Sequence, residues 1–199
     1  MVVGITGGIG SGKSTIAKQL REMGYAVYDT DSEAKRLIVE DTHVREQITA
    51  LFGEEVYQDG VYQTALVAQR VFADRSLLAQ LNAIVHPAVK ADIGNWVRDG
   101  VPPNGYGIME SGLFFIECAI LYQAGFHTLC DKIVVVTAPE EIRLQRTIAR
   151  DHSTIDKVRA RMRAQDVDSD LKRADIVINN DGTRPISALC EDIIRQLTE

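Results

Sequence analysis

The sequence predicts an α/β fold, a parallel five-stranded sheet flanked by helices, and three observations carry that expectation. Five short apolar runs read as strands, helical stretches separate them, and a glycine-rich loop joins the first run to the first helix. The runs, at residues 2–6, 25–28, 113–117, 132–137 and 175–179, are apolar at consecutive positions. That is the pattern of parallel strands covered on both faces.

Taken in order, the first run passes into Gly7-Gly8-Ile9-Gly10-Ser11-Gly12-Lys13-Ser14 and then a helix over 13–23, with Gly24 placed to end it. The second strand leads to Asp29-Thr30-Asp31 and a long amphipathic region over 32–98. This is far more chain than one crossover needs, so an inserted helical subdomain is expected there. Trp96 is expected to pack within it. A turn-rich stretch, Asp99-Gly100-Val101-Pro102-Pro103-Asn104-Gly105, is the nearest thing to a linker. The third strand ends in Glu117, and Gly125 sits at a second helix-ending position. Helices over 140–150, 154–165 and 186–197 complete the alternation. The expected organisation is one domain over 1–199. Its core spans about 1–31, 106–140 and 170–199, its inserted subdomain about 32–105 and its helical lid about 141–169.

Composition bounds the function. With 199 residues, 45% hydrophobic and 25% charged, the chain suits one globular domain. No apolar run approaches the ~20 residues of a membrane span, and the apolar opening lacks the basic leader of a secretory signal. Cys118, Cys130 and Cys190 are widely spaced without CxxC, which argues against a disulfide framework or zinc knuckle and for a reducing cytoplasm. A net charge of −6 speaks against a nucleic-acid polymer as partner. From Arg143 to Arg173, however, nine Lys/Arg face five Asp, a local +4 against −10 elsewhere. A small polyanionic ligand and a solvated helix of mixed charge both fit.

The glycine loop fits G-x-x-x-x-G-K-[ST], and it stands between a strand and a helix as its mechanism requires. Glycines let successive N–H groups converge on an anion, and the following helix adds its positive end. Lys13 brings a full charge to the β- and γ-phosphates, and the Ser14 hydroxyl is a candidate Mg²⁺ ligand. The loop from Gly8 through Ile9, Gly10, Ser11, Gly12, Lys13 and Ser14 to Thr15 is therefore read as a nucleoside triphosphate site on a P-loop NTPase-type sheet.

Ligands of open α/β sheets lie beyond the carboxyl ends of the strands. Asp31 is placed to orient a substrate hydroxyl, while Asp29 or Asp31 as a mere cap of the next helix is an equal reading. Glu117 is a candidate to hold Mg²⁺ through water, and Glu110 is a weaker one.

Together these residues resemble the dephospho-coenzyme A kinase family nearly end to end. The likeness runs through the glycine loop, Asp29-Thr30-Asp31, Phe52-Gly53, Asp59-Gly60, Val71-Phe72 and Leu81-Asn82 with His86-Pro87. It continues in Ala138-Pro139-Glu140-Glu141 with Arg143, Arg146 and Arg150, and closes in Asp175-Ile176-Val177-Ile178-Asn179-Asn180-Asp181-Gly182. The resemblance implies transfer of the ATP γ-phosphate to the ribose 3′-hydroxyl of dephospho-CoA, with Mg²⁺. It implies Asp31 as the catalytic carboxylate, Arg146 and Arg150 as lid arginines on the phosphates, and Asn180 among residues around the adenine. His86 and Glu117 join Asp31 on the acceptor side. His86 equally reads as a turn residue before proline. The chain departs from the family's Asp-x-Pro-Leu-Leu-x-Glu, reading Glu117-Cys118-Ala119-Ile120-Leu121-Tyr122-Gln123, and Thr64 stands where an Arg is often found. Two other readings share the loop: another small-molecule P-loop kinase acting on a nucleoside or other alcohol, and an ATP-dependent regulatory switch. Guanine-specific signatures, Asn-Lys-x-Asp and Asp-x-x-Gly, are absent.

Overall fold

A computed structural model describes residues 1–100, 112–165 and 167–199. In chain order the elements open with β1 (Val2–Thr6), α1 (Lys13–Glu22) and β2 (Ala26–Asp29). Next come α2 (Thr30–Glu40), α3 (Thr42–Phe52), β3 (Tyr57–Gln58), β4 (Val61–Tyr62), α4 (Thr64–Ala73) and α5 (Arg75–Asp99). The chain continues with β5 (Phe114–Glu117), β6 (Lys132–Thr137), α6 (Glu140–Asp151), α7 (Ile155–Arg163) and α8 (Val167–Lys172), then β7 (Ile176–Asn179) and α9 (Ile186–Thr198). Two compact units result: Met1–Tyr28 with Asp99–Glu199, and Asp29–Arg98.

The first unit carries a five-stranded sheet in the order β2-β5-β1-β6-β7. β1 pairs in parallel with β5 (Val3 opposite Phe115) and with β6 (Ile5 opposite Val134), and β6 pairs in parallel with β7. Alternate residues point to opposite faces. One face seats Val3, Ile5, Phe115, Val134, Val136 and Ile178 in a core closed by Ile16 and Leu20 of α1 and by Leu189 and Ile193 of α9. Tyr25 meets Phe115 edge-on, with ring centroids 5.7 Å apart. On the other face Gly4 lies so close to Leu121 that a Cβ would come within 2.7 Å of its Cδ2. Cover on both faces fails only at the edge: Val177 of β7 is 49% exposed, so that strand is buried on one side. Gly24 follows α1 as expected, its N–H donating to the Arg21 carbonyl. Gly125 instead heads a one-turn 3-10 helix, Phe126–Leu129.

The second unit is helical but not one continuous region. Asp41 breaks it between α2 and α3, its carboxylate accepting from the Val44 N–H at 2.9 Å. Asp59 and Gly60, both at positive φ, turn the β3–β4 hairpin, in which the Tyr57 and Tyr62 rings lie 5.3 Å apart. Arg36 joins the buried Glu33 (2.5 Å) to Asp92 of α5 (2.7 Å). Trp96 is buried on α5. His86 and Pro87 lie inside that helix, so His86 is not a turn residue. Of the turn-rich stretch, Val101 to Gly105 lie outside the described residues, as does Glu110.

All three cysteines are free thiols, and burial pushes Cys130 up to about 12 and Cys190 up to about 11.

Candidate functional site

The site begins where β1 ends. Gly12 caps α1 at φ 93°, and a Cβ there would lie 2.2 Å from Asn180 Nδ2. Gly10, at φ 78°, would bring a Cβ within 2.3 Å of the Arg143 carbonyl. Only glycine fits at both positions, because the backbone is left-handed and a neighbour already fills the side-chain space.

The loop's main-chain donors divide sharply. Ser11 N–H donates to the Gly8 carbonyl, Thr15 and Ile16 N–H donate to the Gly12 carbonyl, and Ile9 N–H donates to Gln165 Oε1 at 2.7 Å. The N–H groups of Gly10, Gly12, Lys13 and Ser14 have no acceptor among the described residues. They stand at the N-terminus of α1, where unpaired amides and the helix dipole favour an anion. A cavity of about 370 Å³ opens here, walled by Gly10, Gly12, Lys13, Ser14 and Thr15. Arg146, Thr147 and Arg150 of α6 form its opposite side. Lys13 has no ion-pair partner among the described residues.

The remaining candidates fall into place around this cavity or apart from it. Ser14 Oγ donates to Glu117 Oε1 at 2.9 Å, so the buried acid at the end of β5 meets the hydroxyl read as a metal ligand. Asn180, buried, donates from Nδ2 to the Ser11 carbonyl at 2.8 Å. Its own carbonyl accepts from Arg146 Nη1 at 2.9 Å. Arg150 is paired through Nε (2.6 Å) and Nη2 (3.2 Å) with Asp151, which also accepts from Arg161 at 2.9 Å. The two guanidiniums hold the Asp151 carboxyl down at about 2. Gly8 and Ile9 do not line the cavity; they brace the loop behind it.

In the second unit Asp29 caps α2, accepting from the N–H of Asp31 (3.1 Å) and Ser32 (3.2 Å). Asp31 is thereby relieved of the capping role, and its exposed carboxylate accepts no hydrogen bond among the described residues. His86 is half-buried on α5, and desolvation lowers its imidazole from the ordinary value. A separate apolar cavity of about 620 Å³ is lined by Ile38, Tyr62, Val67, Ala68, Val71 and Leu81, among others.

Three residues escaped the sequence. Thr147 was visible only as a neutral position between two arginines. Asp151 and Gln165 carried no motif, and Gln165 lies far along the chain from the loop it holds.

A five-stranded parallel sheet with an anion-receptive glycine loop and facing arginines defines a P-loop kinase. The family model described as dephospho-CoA kinase matches residues 1–185. The chain belongs to that family. A dephospho-CoA kinase of Porphyromonas gingivalis is 41% identical over 174 residues, covering 87% of this chain and 82% of that protein. A crystal structure of a Thermus thermophilus protein superposes with a TM-score of 0.79 at 33% identity, covering 100% of this chain and 96% of the other. Dephospho-CoA kinase from Campylobacter jejuni, 22% identical, shares the fold with a TM-score of 0.71 and coverage of 98% and 96%. The family's activity is ATP-dependent phosphotransfer to an alcohol in the final step of coenzyme A biosynthesis. Nothing among these relatives favours a switch.

Proposed function

We propose that this chain transfers the ATP γ-phosphate to the ribose 3′-hydroxyl of dephospho-CoA, with the glycine loop gripping the triphosphate and Asp31 aligning the acceptor. The observation that carries this reading is the set of four amides without an acceptor, beside a Lys13 without an ion-pair partner, among the described residues. Such a constellation is unfavourable without an anion and suits a triphosphate tail. The ribose oxygen attacks the γ-phosphorus, the bond to the bridging oxygen breaks, and ADP leaves as the hydroxyl proton passes to Asp31. Phosphoryl transfer asks mostly for positioning and charge neutralisation. Lys13 and Arg146 meet the phosphate charge, and Arg150 joins them once a phosphate draws it from Asp151. Asn180 holds the wall of the nucleotide site, and His86 belongs to the acceptor side. The apolar cavity in the second unit suits the pantetheine arm of the acceptor.

Mg²⁺ fits the donor set. Ser14 Oγ and Glu117 Oε1 are hard oxygens 2.9 Å apart, and Mg²⁺ takes one or two such ligands while keeping waters and phosphate oxygens. No cluster of three or more His, Cys, Asp or Glu suited to a metal occurs among the described residues, so no all-protein cage competes. When bound, the ion supplies neutralisation of charge on the β- and γ-oxygens. Free thiols favour the cytoplasm as the compartment, and no described helix is long and apolar enough to cross a membrane.

The test is turnover with ATP and dephospho-CoA, with the new phosphate located by mass spectrometry. Lys13→Ala should abolish transfer. Asp31→Asn should lower kcat by roughly 10²–10³ while the Kd for ATP stays within about twofold. Phosphate found on an oxygen other than ribose 3′, or near-normal kcat in Asp31→Asn, would refute the assignment.

A further inference from the structure

The glycine loop is held from behind by a side chain that no part of the phosphate cavity contains. A peptide unit is planar and trans, so its N–H and C=O point in opposite directions and fixing one end fixes the other. The peptide joining Gly8 to Ile9 is pinned at both ends. Its carbonyl accepts from Ser11 N–H at 3.0 Å, and its N–H donates to Gln165 Oε1 at 2.7 Å. The next peptide, joining Ile9 to Gly10, is fixed through its carbonyl, which accepts from Arg143 Nε at 3.0 Å. Its opposite end is the Gly10 N–H, one of the four amides without an acceptor among the described residues.

The Ile9 side chain is held as well, packing against Leu144 of α6 and Val158 and Met162 of α7. Ile9 is thus gripped by its N–H, its carbonyl and its side chain, and all three grips come from residues 143–165. Gln165 follows the end of α7, with its own N–H donating to the Met162 carbonyl at 3.2 Å. The end of the helix therefore sets where its carboxamide reaches.

We propose that Gln165 is a positioning residue for phosphoryl transfer: by accepting the Ile9 N–H it locks the peptide plane that aims the loop's free amides at the triphosphate. It touches no reacting atom in this role. It makes the grip of the loop depend on the docking of the α7 end, so the loop is preset only when that end is in place. The proposal rests on the ATP-dependent kinase reading above.

Two substitutions and one exchange measurement test it. Gln165→Met keeps the length and removes the acceptor, whereas Gln165→Glu keeps an Oε acceptor at the same reach. Q165M should lower kcat/KM for ATP about tenfold while KM for dephospho-CoA stays within about twofold. Q165E, assayed at high ionic strength to screen its charge, should stay within about threefold of the parent. Hydrogen exchange should find the Ile9 amide protected in the unsubstituted protein and faster in Q165M. An Ile9 amide that exchanges like an open loop in the unsubstituted protein overturns the proposal, whether or not Q165M folds. So does Q165M with unaltered kcat/KM for ATP, an equal rise in KM for both substrates, or Q165E as defective as Q165M. Failure of the kinase reading looks different: the unsubstituted protein transfers no phosphate to dephospho-CoA, and the exchange result stands by itself.

Discussion

Gly12 shows how much one residue of the loop must satisfy. Its φ of 93° and the 2.2 Å approach of Asn180 Nδ2 to a would-be Cβ exclude every side chain at once. Gly12→Ala is expected to cost about 2 kcal/mol or more of stability and to abolish ATP binding. Adding Asn180→Ala removes the collision but leaves the left-handed backbone, so the double variant should recover only part of the loss. Thermal unfolding and nucleotide titration check both, and full recovery would contradict the backbone argument. At this scale the sequence was legible where chemistry leaves a local mark: Lys13, Ser14 and the acid closing β5 all stood in recognisable spacing. Asn180 entered by resemblance as an adenine neighbour. Its carboxamide bond to Ser11 spans 169 positions, and no spacing rule reaches that far. Gln165 was hidden for the same reason, since its bond to Ile9 spans 156.

Between α6 and α7 the deciding contact is a carboxylate shared by two arginines. Asp151 binds Arg150 and Arg161, and that pairing holds it at about 2, below the ordinary 3.8. A carboxylate lowered by folding adds stability above its unfolded value, and the gain is lost as pH falls through the folded one. The window therefore runs from about 3.8 down to about 2. Asp151→Asn should show a Tm deficit that is flat through the neutral range and closes only in acid below pH ~4. A deficit that varied between about pH 6 and 8 would assign it to another group. Hence neutral pH does not release Arg150; a competing anion must. The sequence marked both helices but not this tie, because i to i+1 and i to i+10 pairs fall outside helical spacing. The β3–β4 hairpin it did not mark: residues 32–98 read as one amphipathic helical region, and Asp59-Gly60, a strong hairpin turn, was hidden inside that pattern.

Across the molecule, the residues around the phosphate cavity all belong to the unit containing the sheet, whereas Asp31, His86 and the apolar cavity belong to the helical unit. Substitutions should therefore sort by substrate. Ala68→Trp, which fills the apolar cavity, is expected to raise KM for dephospho-CoA about tenfold and leave KM for ATP within about twofold. Equal changes in steady-state kinetics for both substrates would contradict that division. The order of strands and helices was readable because a buried parallel sheet writes continuous apolar runs into the chain. The exposed outer side of β7 was not, since apolar residues in the run do not say which neighbour is missing. The free thiols carry a last consequence. Coenzyme A and its precursor end in a thiol that can be oxidised to a disulfide, and attack on such a disulfide needs a thiolate. Burial pushes Cys130 up to about 12 and Cys190 up to about 11, well above neutral pH, so both stand as thiols. Burial thus disfavours the thiolate that such an attack needs at both Cys130 and Cys190.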